Sequence, residues 1–229
     1  MSNPSQSLFA AILEDDLASV KALLKEHPHL SRHAMETDAR HESGIAHWIY
    51  VGDTALHFAA AGYRVEIAKM VLVAGADPNS AKNHRRSQPL HYASDGYLEN
   101  PFWNTKRQVA MIRLLLKAGA DIHAQDKNGA TPLHRAVRTR CAAAVECLLE
   151  AGSDATIQNQ PGSTPFHLAV QNTGRGGTGA EKAKAAQREI IQSFLERGVS
   201  VALKDRNGKS ILQWAKSDSI RQILSSHAV

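Results

Sequence analysis

Apolar residues recur along this chain in short bursts at helical spacing. Within residues 124–168, Leu133, Ala136 and Val137 fall at i, i+3 and i+4, and Val145, Leu148 and Leu149 repeat that spacing shortly afterwards. Each set gives one apolar stripe on a short helix. Asn128-Gly129, ahead of the first stripe, is a turn dipeptide, because both residues tolerate positive φ. Thr131 is placed to cap the first helix, and Pro132 suits its first turn, where no amide donor is needed. Gly152 closes the second helix as a residue able to turn left-handed. Neither helix can bury its stripe alone, so such units must stack on one another.

The unit is repeated. Thr131-Pro132-Leu133-His134 returns 33 residues later as Thr164-Pro165-Phe166-His167. Thr54-Ala55-Leu56-His57 and Gln88-Pro89-Leu90-His91 stand 34 apart, with Gln88 in place of the capping threonine. Ala74-Gly75-Ala76-Asp77, Ala118-Gly119-Ala120-Asp121 and Ala151-Gly152-Ser153-Asp154 close three of the second helices. A T-P-L-H tetrad at this period resembles the ankyrin repeat. The resemblance covers nearly the whole chain. It implies an all-α ankyrin-repeat solenoid of about six stacked helix-turn-helix units with short projecting hairpins, forming one domain over residues 1–229.

Departures from the period locate three insertions. Residues 1–30 read as an N-terminal cap, with Phe9 where the family has histidine. Residues 31–50 do not fit the repeat and lie where the family places a hairpin. The central repeats span 51–204, with insertions near 95–105 and 173–186. A charged, alanine-rich helix is expected over about 180–197. Residues 205–229 keep the turn Asn207-Gly208 but lose proline and histidine, as a C-terminal cap would.

Composition narrows the function classes. Of 229 residues, 43% are hydrophobic and only 5% aromatic, so small aliphatic side chains must do the packing. No apolar run approaches the roughly 20 residues of a membrane span. The early segment SLFAAIL has no basic residue before it and acidic residues after it, so a secretory signal is not expected. Cys141 and Cys147, six apart on one expected helix, point to different faces, and reduced thiols in a cytoplasmic protein are the expectation. The formal net charge is +5, which suits an acidic partner without requiring one.

Candidate chemistry follows the histidines first. His57, His91, His134 and His167 hold the tetrad position, where the resemblance implies a local hydrogen-bonding role between neighbouring turns. His27, His29, His33, His41 and His47 crowd into 21 residues at the end of the N-terminal cap and in the first insertion, but without cysteine or a closed ligand spacing. A His-rich-insertion metal protein or enzyme is therefore an alternative reading, and no cofactor or metal is expected. The stretch Gly174-Arg175-Gly176-Gly177-Thr178-Gly179 lacks the strand before it and the lysine after it that a phosphate loop needs, and reads as a connector.

The expected function is a non-catalytic protein–protein interaction module. The resemblance implies a partner protein bound through the hairpin tips and the concave face of the first helices. The tip row holds His84, Arg85, Arg86, Lys127, Arg206 and Lys209, with no acidic residue among them. Arg138, Gln171 and Asn172 extend the candidate site along the first helices, and Phe102 and Trp103 offer aromatic anchors in the second insertion. The partner surface is expected to be acidic and the chain a monomer on its own. Nucleic acid binding through the basic tips is the second alternative; no aromatic platform is interleaved with the cations, which counts against it.

Overall fold

Twelve α-helices form among the described residues of the computed structural model, which are 3–36, 39, 40, 45, 47–96, 103–173 and 179–227. They fall into six consecutive pairs: α1 (Pro4–Leu13) with α2 (Leu17–Glu26), α3 (Ala55–Ala61) with α4 (Val65–Val73), and α5 (Pro89–Ser94) with α6 (Thr105–Lys117). Then come α7 (Pro132–Arg138) with α8 (Ala142–Glu150), α9 (Pro165–Ala169) with α10 (Glu181–Glu196), and α11 (Ile211–Trp214) with α12 (Asp218–Ser225). The first helices pack in one row, α1 on α3 on α5 on α7 on α9 on α11, and the second helices α2 to α10 pack in a parallel row behind them.

The stripes read from the sequence are the core. Leu56, Leu90, Leu133, Ile67, Ile112 and Leu148 are fully buried. At the N-terminal end Phe9 stacks on Phe58, with ring centroids 4.5 Å apart, so an aromatic takes over where the tetrad histidine is missing. The only strand pair among the described residues lies in the first insertion, where Ala39–Arg40 pairs antiparallel with Trp48–Ile49.

The remaining insertions change how a unit turns from its first helix to its second. In the first, second and fourth units the turn passes through a left-handed residue, Asp15, Tyr63 or Arg140, at φ 53–58°. The third and fifth units have insertions there instead, and a buried glutamine from the second helix serves the exposed carbonyls. Gln108 Nε2 donates to Ala93 O and Asp95 O at 3.1 and 3.2 Å. Gln187 Nε2 donates to Ala169 O and Gln171 O, both at 2.7 Å. Their second helices are also longer, 13 and 16 residues against 9 in α4 and α8. Residues 181–186, counted with the third insertion from the sequence, are the opening turns of α10.

Candidate partner-binding face

The four tetrad histidines fasten the hairpins to one another. His134 Nδ1 accepts the backbone N–H of Thr131 at 3.1 Å, which leaves the proton on Nε2, and Nε2 donates to Ser163 O in the next unit at 3.0 Å. His57 reaches Ser87 O, His91 reaches Ala130 O and His167 reaches Lys209 O in the same way. Burial disfavours the charged imidazole, so the pKa of His91 and of His134 is pulled down to about 4 and those of His57 and His167 are lowered too. In the sixth unit Gln213 stands in the place of the histidine, its Oε1 accepting Ser210 N–H at 2.8 Å.

Each hairpin turn is held by its first residue. Asn83, Asp126, Asn159 and Asp205 accept backbone N–H groups four residues ahead, at 2.8–3.0 Å. Successive tips are then tied directly: Lys127 N–H donates to Arg85 O, Gln160 N–H to Asn128 O and Arg206 N–H to Gly162 O. The approach is so close that a Cβ on Gly162 would lie 2.2 Å from the Cβ of Arg206. His84, Lys127, Gln160 and Arg206 therefore occupy one equivalent tip position. Arg86 falls where the later turns have Gly129, Gly162 and Gly208, and it takes the same left-handed conformation, φ 52°. A non-glycine residue held there is strained.

The expected site residues separate into two places. His84, Arg86, Lys127, Arg206 and Lys209 are exposed along the tip row. Arg85 turns inward instead, its Nη1 donating to Tyr50 Oη at 2.9 Å with the guanidinium 5.2 Å over that ring. Arg138, on the last turn of α7, is 55% exposed and lies 3.6 Å from Asp95. Gln171 is exposed and its carbonyl serves Arg140 and Gln187, while Asn172 is half-buried beside it. Trp103 lies against its own stack, its indole N–H donating to Gln108 Oε1 at 3.0 Å, with Lys182 Nζ 5.8 Å over the ring. Phe102 lies outside the described residues, as do His41 and residues 174–178 of the glycine stretch.

Behind the tips, both of the first two insertions meet one carboxylate that the sequence reading did not single out. Asp95 Oδ2 accepts from Arg135 Nη1 at 2.9 Å and lies 3.2 Å from His47 Nε2. Arg135 Nη2 also bonds Ser87 Oγ at 2.9 Å and stands 3.3 Å from Asp126. Burial raises the pKa of Asp95, but Arg135 and His47 outweigh it and hold the carboxyl down at about 2. Next to this network Tyr92 Oη donates to the buried Asp53 carboxylate, and His47 stacks on Tyr92 with centroids 4.2 Å apart. Arg135 carried a readable signal: the residue after the tetrad histidine is Phe58, Tyr92 and Leu168 in the other units, and a lone arginine stands among them.

Other candidate chemistry does not gather. Among the described residues no three His, Cys, Asp or Glu side chains cluster as a metal site would require. His27 and His29 pack edge to face, 5.9 Å apart. Burial pushes the Cys141 thiol up to about 11 and raises Cys147, which removes the thiolate a nucleophile needs.

Known proteins place these features. Residues 51–83 match the family described as ankyrin repeat, and residues 104–178 match the description for three copies of ankyrin repeats. A relative from Drosophila melanogaster, the ARF GTPase-activating protein Git, is 37% identical over 81 residues. That match covers 35% of this chain and 10% of the relative, so the chain spans only a small part of that protein's length.

Proposed function

The chain belongs to the ankyrin-repeat family, whose members are generally protein-interaction modules, and from that premise we propose that it is a non-catalytic adaptor that binds an acidic protein surface through its hairpin tips. The observation that carries the reading is the tip row. Lys127 and Arg206 project from equivalent positions of hydrogen-bonded hairpins, Arg86 and Lys209 stand beside them, and all four are exposed. A rigid row of like charge repels itself, so an opposing acidic surface is its natural complement, and such complementarity acts chiefly on the encounter rate. Retention of Arg86 in a strained turn position where three other hairpins have glycine supports the same reading. The module is proposed to act as a cytoplasmic monomer, and its two buried free thiols suit a reducing compartment.

The test is capture from native lysate with the wild-type chain and with the triple variant Arg86→Glu, Lys127→Glu, Arg206→Glu. The reading expects a protein with an acidic surface that is retained by the first and lost by the second. Equal retention on both would move the interface off the tips. Preference for oligonucleotides over acidic proteins, with a steep salt dependence, would favour nucleic acid instead.

A further inference from the structure

A cavity of about 210 Å³ opens behind the tip row. Its walls come from three separate parts of the chain: His47 and Tyr50 from the first insertion, Arg85 from the turn that opens at Asn83, and Arg138 and Thr139 from the end of α7, with Asp95 and Arg135 at its base. This is smaller than the roughly 300–1,000 Å³ of sites for whole small molecules. It has room for one side chain. We infer that this cavity receives a single carboxylate side chain of the bound protein, clamped between Arg85 and Arg138. The inference rests on the proposed protein-binding role and adds to it the chemistry of one residue of the partner.

The donors at the rim have capacity left. A guanidinium carries five N–H groups. Arg85 uses one on Tyr50, and Tyr50 keeps its own hydroxyl proton to donate. Arg138 is more than half exposed and its approach to Asp95, at 3.6 Å, is too long for a good hydrogen bond. The wall at Thr139 is neutral and already committed, since its hydroxyl donates to Arg135 O and accepts Gly96 N–H.

The depth of the charges decides between anions. Arg135 at the base is already matched by the carboxylates of Asp95 and Asp126, and Asp53 lies behind Tyr92. The cations left to a guest are Arg85 and Arg138 at the rim. A carboxylate needs only those two. A phosphate dianion would bring its second charge against Asp95, whose Oδ1 is buried without a hydrogen-bond donor.

The experiment uses the full chain with nitrogen-15 arginine side chains, titrated with three probes: N-acetyl-glutamate methylamide, its glutamine counterpart and N-acetyl-phosphoserine methylamide. The glutamate probe should shift the Nε–H resonances of Arg85 and Arg138 to saturation, and the glutamine probe should leave them in place. Arg138→Gln should weaken the glutamate probe about tenfold, the loss of one charge-assisted bond, whereas Arg86→Gln should not. Shifts spread evenly over Arg86, Lys127 and Arg206 without saturation would overturn the inference, as would tighter binding of the phosphoserine probe. If the tip variant loses its partner while the glutamate probe ignores Arg138, the cavity is excluded and the tip reading stands. If the probe saturates but the tip variant keeps its partner, the tip reading fails by itself.

Discussion

Arg135 meets Asp95 across 40 positions of sequence, Nη1 to Oδ2 at 2.9 Å, with side chains only 5% and 4% exposed. The bond joins an intact unit to the place where its neighbour is interrupted. Removing the arginine would leave Asp95 and Asp126 buried with their main counter-charge gone. Arg135→Ala should therefore cost about 3–5 kcal/mol, whereas Arg138→Ala, half in solvent, should cost less than about 1 kcal/mol. Urea unfolding of the two variants checks this, and equal midpoints would show that the buried network is not what holds the interrupted unit.

Stability should fall with acidification in two windows of opposite origin. His91 and His134 have folded-state values near 4, below the ordinary 6.5, so the unfolded chain binds more protons between the two. Their contribution is complete above about pH 6.5 and is lost as pH falls towards 4. The carboxyl of Asp95, near 2 when folded against 3.8, acts lower, contributing above about pH 4 and failing as pH falls towards 2. Urea midpoints measured from pH 7 to pH 4.5 should decline, and the decline should be shallower in His134→Gln. A flat profile over that range would mean that the ladder histidines are not buried neutral.

The glutamines behind the insertions are open to a direct test. Gln108→Leu keeps the volume of the side chain roughly constant but strands the carbonyl of Ala93 and the indole N–H of Trp103, while Asp95 O keeps the hydroxyl of Tyr63. A loss of about 1–3 kcal/mol is expected, along with faster hydrogen exchange in the first turns of α6. An unchanged midpoint would mean that water takes over the groups Gln108 leaves behind.

Arg86→Gly separates stability from binding. Relief of the left-handed strain and the added freedom of the unfolded chain oppose each other, so the melting midpoint should move by less than about 1 kcal/mol equivalent. Association with the partner should slow, because one charge of the tip row is gone. A variant that melts lower by several kcal/mol would show that the arginine side chain holds the hairpin.

What the sequence made legible was local or periodic. The tetrads, turn residues and closures carry their structure within a few residues, so Thr131 and His134 form the expected cap and Gly152 the expected left-handed end. The insertions showed as excess length against a 33-residue period. What lay hidden depends on pairs far apart across those insertions. Nothing near Asp95 announces Arg135, and nothing near Tyr50 announces that Arg85 leaves the tip row to bond it. The charged, alanine-rich helix expected over about 180–197 is α10, Glu181–Glu196; what its composition did not mark is the role of Gln187, which bonds carbonyls 16 and 18 positions back.

The central claim is that a basic row of hairpin tips draws in an acidic protein. The most direct measurement is the association rate constant with the captured partner, for the wild type and for the Arg86→Glu, Lys127→Glu, Arg206→Glu variant, from low to high salt. The account predicts association at least about tenfold slower for the variant at low salt, with the two rates converging as salt screens the charges. Equal rates at low salt would contradict it.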